Sequence, residues 1–135
     1  MIKKFLFVTL VAMIFAAVDV HSQTPQKADP IHQLRIYQIF DNTKAAFHAR
    51  FKEHAMRIMK RYDFKIISMW EARSGEKLEF VYLLEWKDEA TMTAKWKAFL
   101  ADQEWIDIKK RTNSDSAPLV GEIQSRVLSK VDYSP

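Results

Sequence analysis

The stretch "FHARFKEHAMRIMKRY" (47–62) places apolar residues at three- and four-residue intervals: Phe47, Phe51, Ala55, Ile58 and Tyr62. That spacing predicts one buried face of a helix. "IHQLRIYQIF" (31–40), rich in β-branched and aromatic residues, reads as a strand before it, and Asp41-Asn42-Thr43 as the turn that caps the helix. "FKIISMWEA" (64–72) and "LEFVYLLEW" (78–86) read as two more strands joined by a Ser74-Gly75-Glu76-Lys77 hairpin turn. Asp88 caps a second predicted helix with Met92, Trp96, Phe99 and Leu100 on one face, and a short helical piece follows around Glu104-Trp105-Ile106. "KKRTNSDSAP" (109–118) reads as a polar loop and "LVGEIQSRVLSKV" (119–131) as a fourth strand.

The order β-α-β-β-α-β predicts a ferredoxin-like α+β fold, a four-stranded antiparallel sheet with two helices on one face. Simple alternation gives the third strand Phe80, Tyr82, Leu84 and Trp86 on one side, and Val81 and Leu83 on the other. In the second strand it puts Ile67 and Met69 on one side, and Ile66 and Trp70 on the other. Two helices cover only one face of a sheet. An apolar second face therefore predicts a partner, and an identical chain is the expected one.

At 135 residues, with 48% apolar and 13% aromatic content, the chain suits a single folded domain. Its start has the layout of a secretory signal: basic Lys3-Lys4, an apolar run from Phe5 to Val18, and Val20-His21-Ser22 as a cleavage site. Residues 1–22 are read as the signal, 23–30 as a flexible lead-in and 31–135 as the domain. The run is short against the ~20 residues that span a bilayer, so an exported protein, periplasmic or extracellular and free of the membrane after cleavage, is expected. Losing Lys3, Lys4 and Asp19 lowers the formal charge from +4 to +3, which makes no case for nucleic acid. The third strand (Lys77-Leu78-Glu79-Phe80-Val81-Tyr82) also lacks the basic-Gly-aromatic signature of RNA-recognition motifs. The absence of cysteine excludes disulfides and thiol chemistry.

Several features taken in order resemble a NIPSNAP-family domain over roughly residues 31–135. They are Leu34, Arg35 and Tyr37 in the first strand, His54 in the first helix, Trp70 at the end of the second strand, Tyr82-Leu83 in the third, and Trp105 in "DQEW". The sequence departs from the family pattern before the second strand, where Asp63 replaces glycine, and before the third, where Glu79 replaces asparagine. The resemblance implies a dimeric α/β barrel, two such sheets packed face to face. That superfamily spans cofactor-free monooxygenases, haem-degrading enzymes, isomerases and peroxidases, so it predicts fold better than function.

His54, at the edge of the helix's apolar face, is the best catalytic candidate, as a general base beside a pocket. The structural alternative is a histidine hydrogen-bonded to a carbonyl or carboxylate. Arg35 points away from Leu34 and Ile36 into the sheet interior and needs an anionic partner. Glu71, Glu79 or Glu85 is the protein's own choice, and a bound carboxylate or enolate the other. Tyr37, Trp70, Tyr82 and Trp86 supply aromatic walls for core or ligand. His48 and His54 are six apart, unlike an i, i+4 metal pair, and neither metal nor cofactor is expected. The primary reading is a homodimer that binds a small apolar or aromatic molecule between sheet and helices. The alternative is a cofactor-independent monooxygenase or isomerase with His54 as base and Arg35 or Tyr37 stabilising an oxyanion.

Overall fold

In the computed structural model, which describes residues 29–113 and 117–135, the β-branched run Ile31–Ile39 forms β1. Helix α1 (Lys44–Arg50) passes through a π-helical turn (Phe51–Ala55) into α2 (Met56–Arg61). The hairpin strands β2 (Lys65–Ser74) and β3 (Lys77–Trp86), helices α3 (Glu89–Leu100) and α4 (Gln103–Thr112), and β4 (Ile123–Leu128) follow. The sheet order is β2-β3-β1-β4, with every neighbouring pair antiparallel. This is the predicted ferredoxin-like α+β arrangement. The proposed signal segment 1–22 lies outside the described residues, as does the lead-in up to residue 28.

The π turn follows from the spacing of the first helix. Residues four apart drift by ~40° per step in a regular α-helix. Phe47, Phe51, Ala55 and Met59 are nonetheless all buried. A wider turn, in which the Met56 N–H reaches back five residues to the Phe51 carbonyl, absorbs that drift. Asp63, where the resemblance leads one to expect glycine, adopts a φ of 58°, the left-handed conformation that glycine takes without strain. Its carboxylate pairs with Lys95 Nζ at 2.7 Å.

Three local expectations are corrected. Strand β2 carries a bulge between Ile66 and Ser68. Ile66 therefore faces the helices opposite Leu84, while Trp70, opposite Val81, lies on the other side of the sheet. Simple alternation had put those two together. The predicted short piece around Trp105 is a ten-residue helix. Asp102 caps it by accepting the Trp105 N–H at 3.0 Å, Trp105 and Ile108 are buried, and the basic Lys109-Lys110-Arg111 run completes its last turn rather than opening a loop. The fourth strand is shorter than the alternating run. Leu119 turns into the core, and pairing starts only at Ile123. Between them the Gly121 N–H donates to the Gln38 carbonyl at 2.9 Å. A Cβ at Gly121 would sit 2.9 Å from both Gln38 Oε1 and Phe40 Cζ, so a larger residue here would require those two side chains to shift.

Strand β3 is the axis of the core. Paired on both edges, it buries Leu78, Phe80, Tyr82, Leu84 and Trp86 beneath the helices. Phe47 and Phe51 pack edge-on against Phe80 with centroids 5.1 and 4.7 Å apart, and Phe64 against Trp86 at 4.7 Å. Leu34, Ile36, Val81 and Leu83 occupy the opposite face, which no element among the described residues covers.

Candidate functional site: a cationic aromatic cavity

The inward positions of β1 are polar where those of β3 are apolar. Register places Gln33 beside Leu84, Arg35 beside Tyr82 and Tyr37 beside Phe80, all on the helix side. Because β1 lies between β3 and the short β4, the helices seal β3 but leave a cavity of about 730 Å³ over β1. Arg35, Tyr37 and Ile123 line it from the sheet, Phe47, Arg50 and Phe51 from the first helix, and Trp96, Trp105 and Lys109 from α3 and α4. Half-exposed Leu100 (52%) and Ile123 (50%) mark where it opens. The volume is that of a site for a drug-sized molecule.

Buried Gln33 organises the base of the cavity. Its Oε1 accepts from the indole N–H groups of both Trp96 (2.7 Å) and Trp86 (3.0 Å), and its Nε2 donates to Ser125 Oγ at 2.9 Å. An indole can only donate, and here one carbonyl oxygen with two lone pairs accepts from both. With Trp96 fixed in this way, the Arg35 guanidinium lies 4.5 Å from its ring centroid and 5.3 Å from that of Tyr37.

Arg35 Nη2 donates to the Tyr37 hydroxyl at 3.2 Å, which lies 2.8 Å from the hydroxyl of fully buried Tyr82. Burial pushes the Tyr82 phenol well above its ordinary value, with Tyr37 adding to the shift and Arg35 opposing it. Burial also works against the Arg35 cation, but the phenols of Tyr37 and Tyr82 outweigh it and the guanidinium ends above its usual value. Arg35 Nε is sealed from solvent and has no hydrogen-bond partner. Arg50 donates through Nη1 to Asn113 Oδ1 (2.6 Å) and Thr112 Oγ1 (3.3 Å), and burial lowers its pKa, with Tyr37 opposing. The cavity wall thus carries Arg35, Arg50 and Lys109 and, among the described residues, no carboxylate and no histidine.

The sequence candidates separate into three groups. Arg35 and Tyr37 line the cavity, and Tyr82 and Trp86 support it through Tyr37 and Gln33. His54 sits half-buried in the π turn and is not a lining residue. Trp70 is on the opposite face, 49% exposed. None of the carboxylates considered for Arg35 reaches it. Glu71 binds Lys44 and His48, Glu85 binds Lys65 and His32, and Glu79, opposite Gln38, is on the other side of the sheet. Gln33, Arg50 and Lys109 were not singled out from the sequence. The available signals were the shared parity of Gln33 with Arg35, and an arginine one residue before Phe51 on an apolar helix face.

The NIPSNAP family model matches residues 32–135. The chain belongs to the NIPSNAP family. Among solved structures, a NIPSNAP family protein from Agrobacterium tumefaciens is 18% identical with a TM-score of 0.67, the match covering 79% of this chain and 98% of that one. A NIPSNAP-like domain protein from Burkholderia xenovorans is 22% identical with a TM-score of 0.66, covering 78% of this chain and 89% of that one. SnoaB, a cofactor-independent oxygenase from Streptomyces nogalater, is 14% identical with a TM-score of 0.50, covering 80% and 99%. At these identities the likeness shows a shared fold. No curated protein matches the chain.

Two predictions follow from how this NIPSNAP domain holds its cavity together. Replacing Gln33 by leucine strands both indole N–H groups, at about 1–3 kcal/mol each. Urea unfolding of Gln33→Leu is expected to show a loss of about 2–5 kcal/mol, and a loss below about 0.5 kcal/mol would show that the indoles find other acceptors. The second concerns Asp102, which caps α4 beneath Trp105. The Trp105 N–H, then the Tyr62 hydroxyl, hold its carboxyl below the usual range. A depressed folded-state value contributes stability that is full above the unfolded value of about 3.9 and is lost as pH falls through the folded one. Unfolding curves between about pH 5 and pH 2 are therefore expected to steepen for the native chain relative to Asp102→Asn. Parallel curves would show that the cap is not linked to protonation.

Proposed function

We propose that this chain is an exported, homodimeric NIPSNAP domain that binds a small, flat, apolar or aromatic molecule in the cavity over β1. The observation that carries this is the cavity itself, about 730 Å³, walled by Phe47, Phe51, Trp96, Phe99 and Trp105 and opening beside Leu100 and Ile123. A cofactor-independent oxygenase or isomerase working in this cavity would need a base there. His54 lies off the wall, and among the described residues the titratable groups that line it are cations and the Tyr37 phenol. That chemistry suits holding a ligand better than deprotonating it. Export is supported by the apolar run from Phe5 to Val18 and the small residues before Gln23.

The homodimer is supported by the uncovered sheet face. Leu34, Ile36, Val81 and Leu83 lie there beside Trp70 and Leu128, which are 49% and 40% exposed. A two-fold partner would present the same apolar face in return. Light scattering of residues 23–135 at low micromolar concentration is expected to give twice the protomer mass, and a protomer mass would refute the dimer.

The cavity reading is tested with N-phenyl-1-naphthylamine, a neutral dye that brightens in apolar surroundings. Saturable uptake of one dye per protomer is expected. Ile123→Trp, which fills the cavity mouth, is expected to weaken it at least about tenfold. Uptake that does not saturate, or that ignores Ile123→Trp, would place the dye elsewhere and sink the reading.

A further inference from the structure

Three observations in the cavity concern charge. The first is the state of Arg35. A guanidinium offers five N–H donors in a planar fork. Among the described residues only one bond is made, from Nη2 to Tyr37, while Nε is sealed without a partner and Nη1 has no protein acceptor. Trp96, whose ring centroid is 4.5 Å from the guanidinium carbon, and the neutral phenols of Tyr37 and Tyr82 offset the cation's burial, but no described lining residue opposes it with a negative charge.

The second is the direction of the Tyr37 proton. Tyr82 is fully buried, and its hydroxyl has Tyr37 as its hydrogen-bond partner. Were Tyr37 the donor between them, the Tyr82 proton would be buried with no acceptor, at a cost of about 1–3 kcal/mol. Tyr82 therefore donates to Tyr37, and Tyr37 also accepts from Arg35. With its oxygen taken twice, the Tyr37 hydroxyl has its own proton to offer to the cavity it lines. The third is the sign of the wall. Arg50 and Lys109 join Arg35, and no described lining residue is acidic. Away from these groups the wall is apolar.

We propose that the cavity selects an organic acid: a flat, apolar body carrying one carboxylate-type group that accepts from Arg35 and the Tyr37 hydroxyl. This rests on the cavity being a ligand site. Arg35 Nη1 and Tyr37 present two donors from neighbouring inward positions of one strand, which matches the two oxygens of a carboxylate. The Trp96 ring on one side and the bond from Nη2 to Tyr37 hold the guanidinium in place before the ligand arrives. Arg50 and Lys109, both near the Trp105 ring at 5.8 Å, set a positive potential around the remainder of the acid. A neutral isostere of the same shape would fill the cavity but leave the cation uncompensated.

The test is displacement of bound N-phenyl-1-naphthylamine by two competitors of one shape, 1-naphthoate and 1-naphthamide. Naphthoate is expected to displace the dye at about ten- to a hundredfold lower concentration, the worth of bonds to a charged group. Arg35→Met is expected to abolish that preference, the two competitors then displacing the dye at concentrations within about twofold of each other. Equal potency of the two competitors on the native protein overturns the inference, as does displacement by neither while the dye remains bound. Both of those outcomes leave the cavity reading standing. Absence of saturable dye binding is the separate failure of that reading. The comparison on the native chain decides the matter without any variant, so the inference stays tested even where Arg35→Met does not fold.

Discussion

The carboxamide of Gln33 is the contact on which the rest of the site depends. One oxygen serves two indoles from different elements, β3 and α3, and the nitrogen ties β1 to β4. The reason is a count of donors and acceptors: tryptophan brings a donor and no acceptor, and a single carbonyl oxygen with two lone pairs can serve two of them at once. Gln33 supplies it from the strand beneath. Once Trp96 is fixed, its face is fixed, and Arg35 two residues along β1 can rest on it. Arg35 then meets Tyr37, and Tyr37 meets Tyr82. The site is a chain of such dependencies running across one face of the sheet.

Charge is divided sharply between the outside and the cavity. Several acids on the outer surface are paired with neighbouring cations: Glu71 with Lys44, Glu85 with Lys65, Glu104 with Arg61, Asp63 with Lys95. Pairs this exposed contribute about 0–1 kcal/mol each, so the aromatic core under α1, α2 and α3, rather than the ion pairs, carries the stability. Inside the cavity the cations face aromatic rings and phenols. The division has a topological origin. The inward side of β3 is made of large hydrophobic side chains, whose polar groups are the Tyr82 hydroxyl and the Trp86 indole N–H, whereas that of β1 carries Gln33, Arg35 and Tyr37, and the helices close over the first and stand off from the second.

Much of this was legible along the chain. Period-two and period-four patterns located the strands and the first helix, and the β-α-β-β-α-β order led to the sheet. Where pattern reading slipped, pairing or packing had decided the matter. The bulge at Ile66 to Ser68 belongs to the pairing of β2 with β3, and no residue within β2 announces it. The helix through Lys109 to Thr112 continues because Trp105 and Ile108 have a core to pack against, although its exposed residues are as polar as a loop. His54 has the spacing of a pocket residue, yet the π turn sets it beside the cavity wall rather than in it.

The sequence by itself determined the fold class, because hydrophobic period and turn chemistry are local and each strand and helix writes its own. It also put Arg35 and Tyr37 on the face of their strand opposite Leu34 and Ile36, since parity along a strand needs no partner, but did not say which of the two faces the helices cover. Only the tertiary structure decided that Arg35 meets tryptophan and tyrosine instead of glutamate, and that Arg50, Trp96, Trp105 and Lys109 converge on it. Those contacts join positions tens of residues apart on separate elements. Which of them meet is set by how the helices seat on the sheet, a property that no single segment contains.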